Sequence, residues 1–163
     1  MRGLIAPPLA EFGATRTTLH PGDVACGVRG DCFETLLGSC IAVVLTDPRR
    51  TVGAMCHIVH STSGGSAPRD SAWGDVALDR MYDLLRERGI TPRLCEAYVY
   101  GGGNMFPGLC ATEHVGANNA RWVLHALALD GVRVLAQDVG GNTYRRLSWT
   151  VGAAAPQVTA VAV

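Results

Sequence analysis

Cys40 differs from the other cysteines in its setting. It follows Gly38-Ser39 and opens the apolar run Cys40-Ile-Ala-Val-Val-Leu-Thr46. A strand that leaves a tight glycine turn can expose its first side chain. It can also leave nearby backbone N–H groups, here those of Ser39 and Cys40, to hold an oxyanion. The same position suits a buried small hydrophobe, since free Cys is among the most buried residue types. His57 lies in a second apolar run, Thr51-Val-Gly-Ala-Met-Cys-His-Ile-Val59. Asp47-Pro48-Arg49-Arg50 separates the two runs and reads as a hairpin turn. Pairing across that turn brings residues 40 and 57 together at the open end. An imidazole beside a thiol can take its proton, and the thiolate then attacks a carbonyl carbon. His57 also fits a satisfied core histidine. His60, three residues on, is expected on the other strand face and exposed.

Other chemistries fit less well. A zinc site from Cys40, Cys56, His57 and His60 matches no standard spacing, and neighbours 56 and 57 point to opposite faces of a strand. Gly101-Gly102-Gly103-Asn104 follows a strand but lacks both the G-x-G-x-x-G spacing and a lysine. A close backbone approach explains it as well as a phosphate does. Ser39 lacks a G-x-S-x-G elbow. All fourteen basic residues are Arg, so Schiff-base and phosphate-loop lysine chemistry are excluded.

The elements that must position these residues follow from pattern. His20-Pro21-Gly22-Asp23 reads as a turn. Strands are expected at 23–28, 33–37, 40–46, 51–59, 94–100, 132–138 and 144–150, with a further one at 157–163. Trp73, Val76, Ala77, Met81, Leu84 and Leu85 share one face of a helix over 72–88, which Gly89 stops. A second helix spans 118–130 and Gly131 ends it. The Ser/Gly/Pro-rich stretch 61–72 reads as a flexible loop. The three tryptophans are expected in the core or at its edge. The fold class is α/β (α+β): a single domain of mostly antiparallel β-sheet with two main helices.

Composition sets the outer bounds. With 163 residues the chain holds one domain and a proper core. Hydrophobic residues are 48% and charged residues 17%, a folded composition. Fourteen basic residues balance fourteen acidic ones, which argues against a nucleic-acid or anionic-membrane binder. No apolar stretch of membrane-spanning length occurs, and Met1–Pro8 does not read as a secretory signal. The expected location is the cytoplasm, where the six cysteines stay reduced.

In order, the motifs resemble those of the CheD family of chemoreceptor glutamine deamidases. The resemblance covers about 20–152 and leaves 1–19 as an irregular N-terminal segment and 153–163 as a C-terminal strand or tail. It is carried by His20-Pro21-Gly22-Asp23, Thr35-Leu-Leu-Gly-Ser-Cys40, Asp47-Pro48, Gly53-Ala-Met-Cys-His57, Gly101-Gly102-Gly103-Asn104-Met105-Phe106, Gly116-Ala-Asn-Asn119 and Asp138-Val-Gly-Gly141. One departure is His60-Ser61 after Ile58-Val59, where members commonly have a proline.

The resemblance implies a sandwich fold similar to deamidating bacterial toxins. It implies Cys40 as nucleophile, His57 as general base and acid, and Thr35 as the third member of the set. The implied substrates are glutamine side chains on methyl-accepting chemotaxis receptors, hydrolysed without metal or cofactor. A CheC-type phosphatase is an implied further partner. A non-catalytic binding module that regulates such a phosphatase is the alternative, and a cysteine peptidase or small-amide hydrolase is a further one. The resemblance assigns no role to Asn119.

Overall fold

A computed structural model describes residues 14–64, 69–109 and 113–163. Among the described residues, nine strands and two long helices follow in chain order: β1 Arg16–Thr18, β2 Val24–Val28, β3 Cys32–Leu37, β4 Ile41–Thr46, β5 Val52–Ile58, α1 Gly74–Glu87, β6 Glu96–Gly101, α2 Val115–Leu129, β7 Arg133–Val139, β8 Thr143–Thr150 and β9 Gln157–Ala162. The expected irregular segment 1–19 thus contributes a short strand, β1, while its residues 1–13 lie outside the described residues.

The strands form two sheets. One runs β1-β3-β8-β9 and the other β2-β5-β4-β6-β7. All pairings are antiparallel except β1 with β3 and β6 with β7. The β4 and β5 sequences are largely apolar, with Thr46 and His57 the polar exceptions, because both faces of this central hairpin are buried. Ile41, Val43, Leu45, Ala54, Cys56 and Ile58 pack under both helices. Ala42, Val44 and Met55 face the second sheet, against Phe33, Leu37, Leu147 and Trp149. The architecture is therefore a mixed α/β sandwich of three layers: helices, five-stranded sheet, four-stranded sheet.

Both helices end where their glycines require. After α1, the Gly89 N–H donates to the Arg86 carbonyl (2.9 Å) and the Ile90 N–H to the Leu85 carbonyl (3.0 Å). After α2, Gly131 and Val132 repeat the pattern on Ala128 and Leu127. This is the Schellman arrangement, with glycine at positive φ and an apolar residue folding back onto the helix. The start of α2 lies three residues before the expected 118. His114 caps it, its Nδ1 accepting from the Ala117 N–H at 3.2 Å. His is not among the usual capping residues, so the sequence pattern concealed the first turn.

The central hairpin sets the register of the site. Asp47 is buried and accepts from the Thr51 N–H (2.7 Å), the Thr51 hydroxyl (2.6 Å) and the Val52 N–H (2.9 Å). Burial pushes its carboxyl up, but these donors outweigh it and hold the pKa below the ordinary value. The turn thus fixed places Ala42 opposite His57 and Ile41 opposite Ile58.

Candidate active site

Side chains alternate along a strand, so Cys40 shares a face with Ala42, the cross-strand partner of His57. Residues 40 and 57 are diagonal neighbours at the open end of the hairpin. Both face the space between the two sheets, and Cys40 packs against that core. Cys56 points the other way, under the helices. His60 is exposed and lies against Trp73, ring centroids 4.4 Å apart. The four residues considered for zinc therefore do not converge.

Thr35 reaches His57 from the opposite sheet. Its Oγ1 lies 2.7 Å from His57 Nδ1 and 2.8 Å from the Leu19 carbonyl oxygen. Thr35 is 2% exposed and His57 3%. The direction of these bonds follows from counting protons. The carbonyl can only accept, so the single hydroxyl proton goes to Leu19. The threonine oxygen then accepts from Nδ1–H. That tautomer leaves Nε2 with its lone pair, the form a base requires. The turn at 20–23 supports His57 from behind: the His57 N–H donates to the Asp23 carbonyl (3.0 Å) and the Gly22 N–H to the His57 carbonyl (2.9 Å).

Burial keeps both groups neutral at rest. Desolvation lowers the His57 pKa from 6.5, more than the Leu19 carbonyl and Asp23 raise it, and His20 adds to the lowering. Desolvation raises the Cys40 thiol from 9.0. The pair is thus a thiol beside a neutral imidazole.

The Cys40 loop is held by its carbonyls. Gly103 N–H donates to Gly38 and Gly102 N–H to Cys40, each at 2.9 Å. Asn119 Nδ2 donates to Ser39 at 3.3 Å. Among the described residues, the Ser39 and Cys40 N–H groups take part in none of the turn and loop bonds. The triple glycine is thus explained by close backbone approach. Gly101 sits at φ +113°, and a Cβ there would lie 2.1 Å from the Cys40 carbonyl oxygen. Arg145, buried on β8, fastens the same loop by donating to the carbonyls of Gly101 (3.1 Å) and Gly140 (2.8 Å) and to Asp138 (3.0 Å). Arg145 carried no sequence signal that set it apart from the other arginines.

A cleft of about 410 Å³ opens beside Ser39, lined by Met105, Phe106, Leu109, Val115 and the start of α2. Phe106, Leu109 and Val115 are exposed, an apolar rim next to the thiol loop. The 61–72 loop is tied down at its described ends. Asp75 accepts from the Ser63 N–H (3.0 Å) and hydroxyl (2.6 Å), and the Ser71 hydroxyl donates to the Gly22 carbonyl (2.6 Å). Residues 65–68, and Cys110 among the cysteines, lie outside the described residues.

A family model described as CheD chemotactic sensory transduction matches residues 59–158. A probable chemoreceptor glutamine deamidase CheD 2 of Albidiferax ferrireducens is 34% identical over 138 residues, covering 82% of this chain and 80% of the relative. The chemoreceptor glutamine deamidase CheD of Thermotoga maritima is 34% identical over 115 residues, 71% of this chain and 72% of the relative. A probable deamidase of the same name from Pseudomonas fluorescens is 32% identical over 139 residues, 83% and 78% of the two chains.

Proposed function

The chain belongs to the CheD family, and we propose that it is a protein-glutamine deamidase acting on methyl-accepting chemotaxis receptors. Cys40 is the nucleophile, His57 the general base and then acid, and Thr35 the residue that orients His57. The observation that carries this reading is the relay from the Leu19 carbonyl through Thr35 to His57 Nδ1, with Cys40 on the same strand face.

His57 Nε2 takes the Cys40 proton as Sγ attacks the glutamine side-chain carbonyl carbon. The N–H groups of Ser39 and Cys40 hold the resulting oxyanion. Removing one such donor typically costs about 10²–10³ in rate. Nε2–H protonates the leaving ammonia, and a thioester remains on Cys40. Neutral His57 then draws a proton from water, the hydroxide displaces sulfur, and glutamate is released with the thiol restored. No step calls for a cofactor. The apolar rim of Phe106, Leu109 and Val115 suits the face of a receptor helix that brings its glutamine to Cys40.

The catalytic domain is assigned to 20–152. The preceding segment 1–19 supplies the Leu19 carbonyl, and 153–163 supplies strand β9. A reduced thiol fits a cytoplasmic site of action, and no helix among the described residues is long and apolar enough to cross a membrane.

The test is peptide mass spectrometry of a chemoreceptor cytoplasmic fragment after incubation with the protein. Conversion of specific glutamines to glutamate is expected, with free glutamine and short peptides left unchanged. No conversion across several receptors by folded protein would overturn the deamidase reading in favour of a module that engages a CheC-type phosphatase.

A further inference from the structure

We propose that Asn119 is a positioning residue that couples the nucleophile loop to the strand carrying the base. The proposal rests on Cys40 and His57 acting together. The β4–β5 ladder ends at the Ile41–Ile58 pair. The next rung would join Cys40 and Val59, but β5 turns away there: the Val59 and His60 N–H groups both donate to the Ala72 carbonyl, at 2.9 and 3.0 Å. The two chains part at the point where thiol and imidazole must stay together.

Asn119 fills that gap. It sits on α2, 2% exposed. Its Nδ2 donates to the Val59 carbonyl (2.9 Å) and to the Ser39 carbonyl (3.3 Å). Both partners only accept, so the amide orientation is set by the network. One amide nitrogen with two protons thus replaces the missing rung. Three consecutive carbonyls of the thiol loop are held, those of Gly38 and Cys40 by glycine N–H groups and that of Ser39 by Asn119. Only the third bond continues to the His57 strand. Aspartate has the same shape without the two protons, and would set a carboxylate against both carbonyls. Serine is smaller and keeps one donor.

The experiment compares wild type, Asn119→Asp, Asn119→Ser and His57→Ala, plus the double variant Asn119→Asp/His57→Ala. The rate of iodoacetamide modification is read for each cysteine by peptide mass spectrometry, alongside kcat and KM on a receptor fragment. Misplacement by about 1 Å can cost 10²-fold. Asn119→Asp is therefore expected to lower kcat by about that factor at unchanged KM, with Asn119→Ser between it and wild type. Cys40 modification should slow as it does in His57→Ala, and the double variant should slow no further, the signature of coupled groups. Buried Cys56 and Cys95 should stay unreactive. Wild-type kcat in Asn119→Asp would overturn the proposal. So would a fall in kcat accompanied by newly reactive Cys56 and Cys95, which would mean a merely structural role. If Asn119→Asp does not fold, Asn119→Ser carries the same two outcomes. Failure of the deamidase reading appears separately, as absent turnover by wild type, and leaves the clamp readable in the Cys40 modification rates.

Discussion

Thr35 and His57 meet across the sandwich: Thr35 Oγ1 on the four-stranded sheet lies 2.7 Å from His57 Nδ1 on the five-stranded sheet. The contact fixes the imidazole tautomer and ties the two layers together at one buried point. Its value depends on the second bond of Thr35, to the Leu19 carbonyl, which commits the hydroxyl proton elsewhere.

Thr35→Val keeps the shape and removes the acceptor for Nδ1–H. A buried polar group left unpaired costs about 1–3 kcal/mol, and each 1.36 kcal/mol is tenfold in rate. The expected loss in kcat is about ten- to hundredfold. Thr35→Ser should retain most activity. Steady-state kinetics on a receptor fragment checks both; equal activity of Thr35→Val and wild type would remove Thr35 from the mechanism.

The pH profile of kcat/KM reports the free protein. Attack needs neutral His57, whose pKa is lowered from 6.5 by burial, so the acid limb should inflect below pH 6.5. The thiol is raised from 9.0, so no inflection from Cys40 is expected near neutrality. An acid limb above 6.5 would show that His57 is not the desolvated base described here.

The same depressed pKa makes His57 a stability switch. As pH falls below 6.5 the unfolded chain takes up a proton on this histidine while the folded chain does not. Stability therefore declines until the folded pKa is reached. Comparing wild type with His57→Gln by urea titration between pH 7 and 5 isolates this contribution. The variant should lose less stability over that range, and parallel curves would contradict it.

The hairpin and the helices were legible because their signals are local. The turn Asp47–Arg50 between two β-branched runs set the β4–β5 pairing, and with it the proximity of residues 40 and 57. The glycine stops at 89 and 131 were equally plain. Contacts between distant elements were not legible. The parallel pairing of β1 with β3, which puts Leu19 beside Thr35, is a ladder between segments with no hairpin turn to announce it. Asn119 lies far along the chain from the Ser39 and Val59 carbonyls, as Arg145 does from that of Gly101, and no periodicity marks either residue.

Gly101→Ala tests the close packing behind the thiol. The residue sits at φ +113° with its Cβ position 2.1 Å from the Cys40 carbonyl oxygen. Forcing a side chain into a sparsely populated conformation costs about 1–3 kcal/mol. Thermal melting should show reduced stability, and kcat should fall because the Cys40 backbone must shift. A variant with wild-type melting temperature and wild-type kcat would contradict the role given to this contact.

The most direct test of Cys40 as nucleophile is to look for its covalent intermediate. Protein and receptor fragment are mixed, quenched in acid within the first turnover, and digested for mass spectrometry. The expected species is a receptor peptide joined to the Cys40 peptide as a thioester cleaved by hydroxylamine, absent in Cys40→Ala, which should not deamidate. Undiminished deamidation by Cys40→Ala would contradict the account.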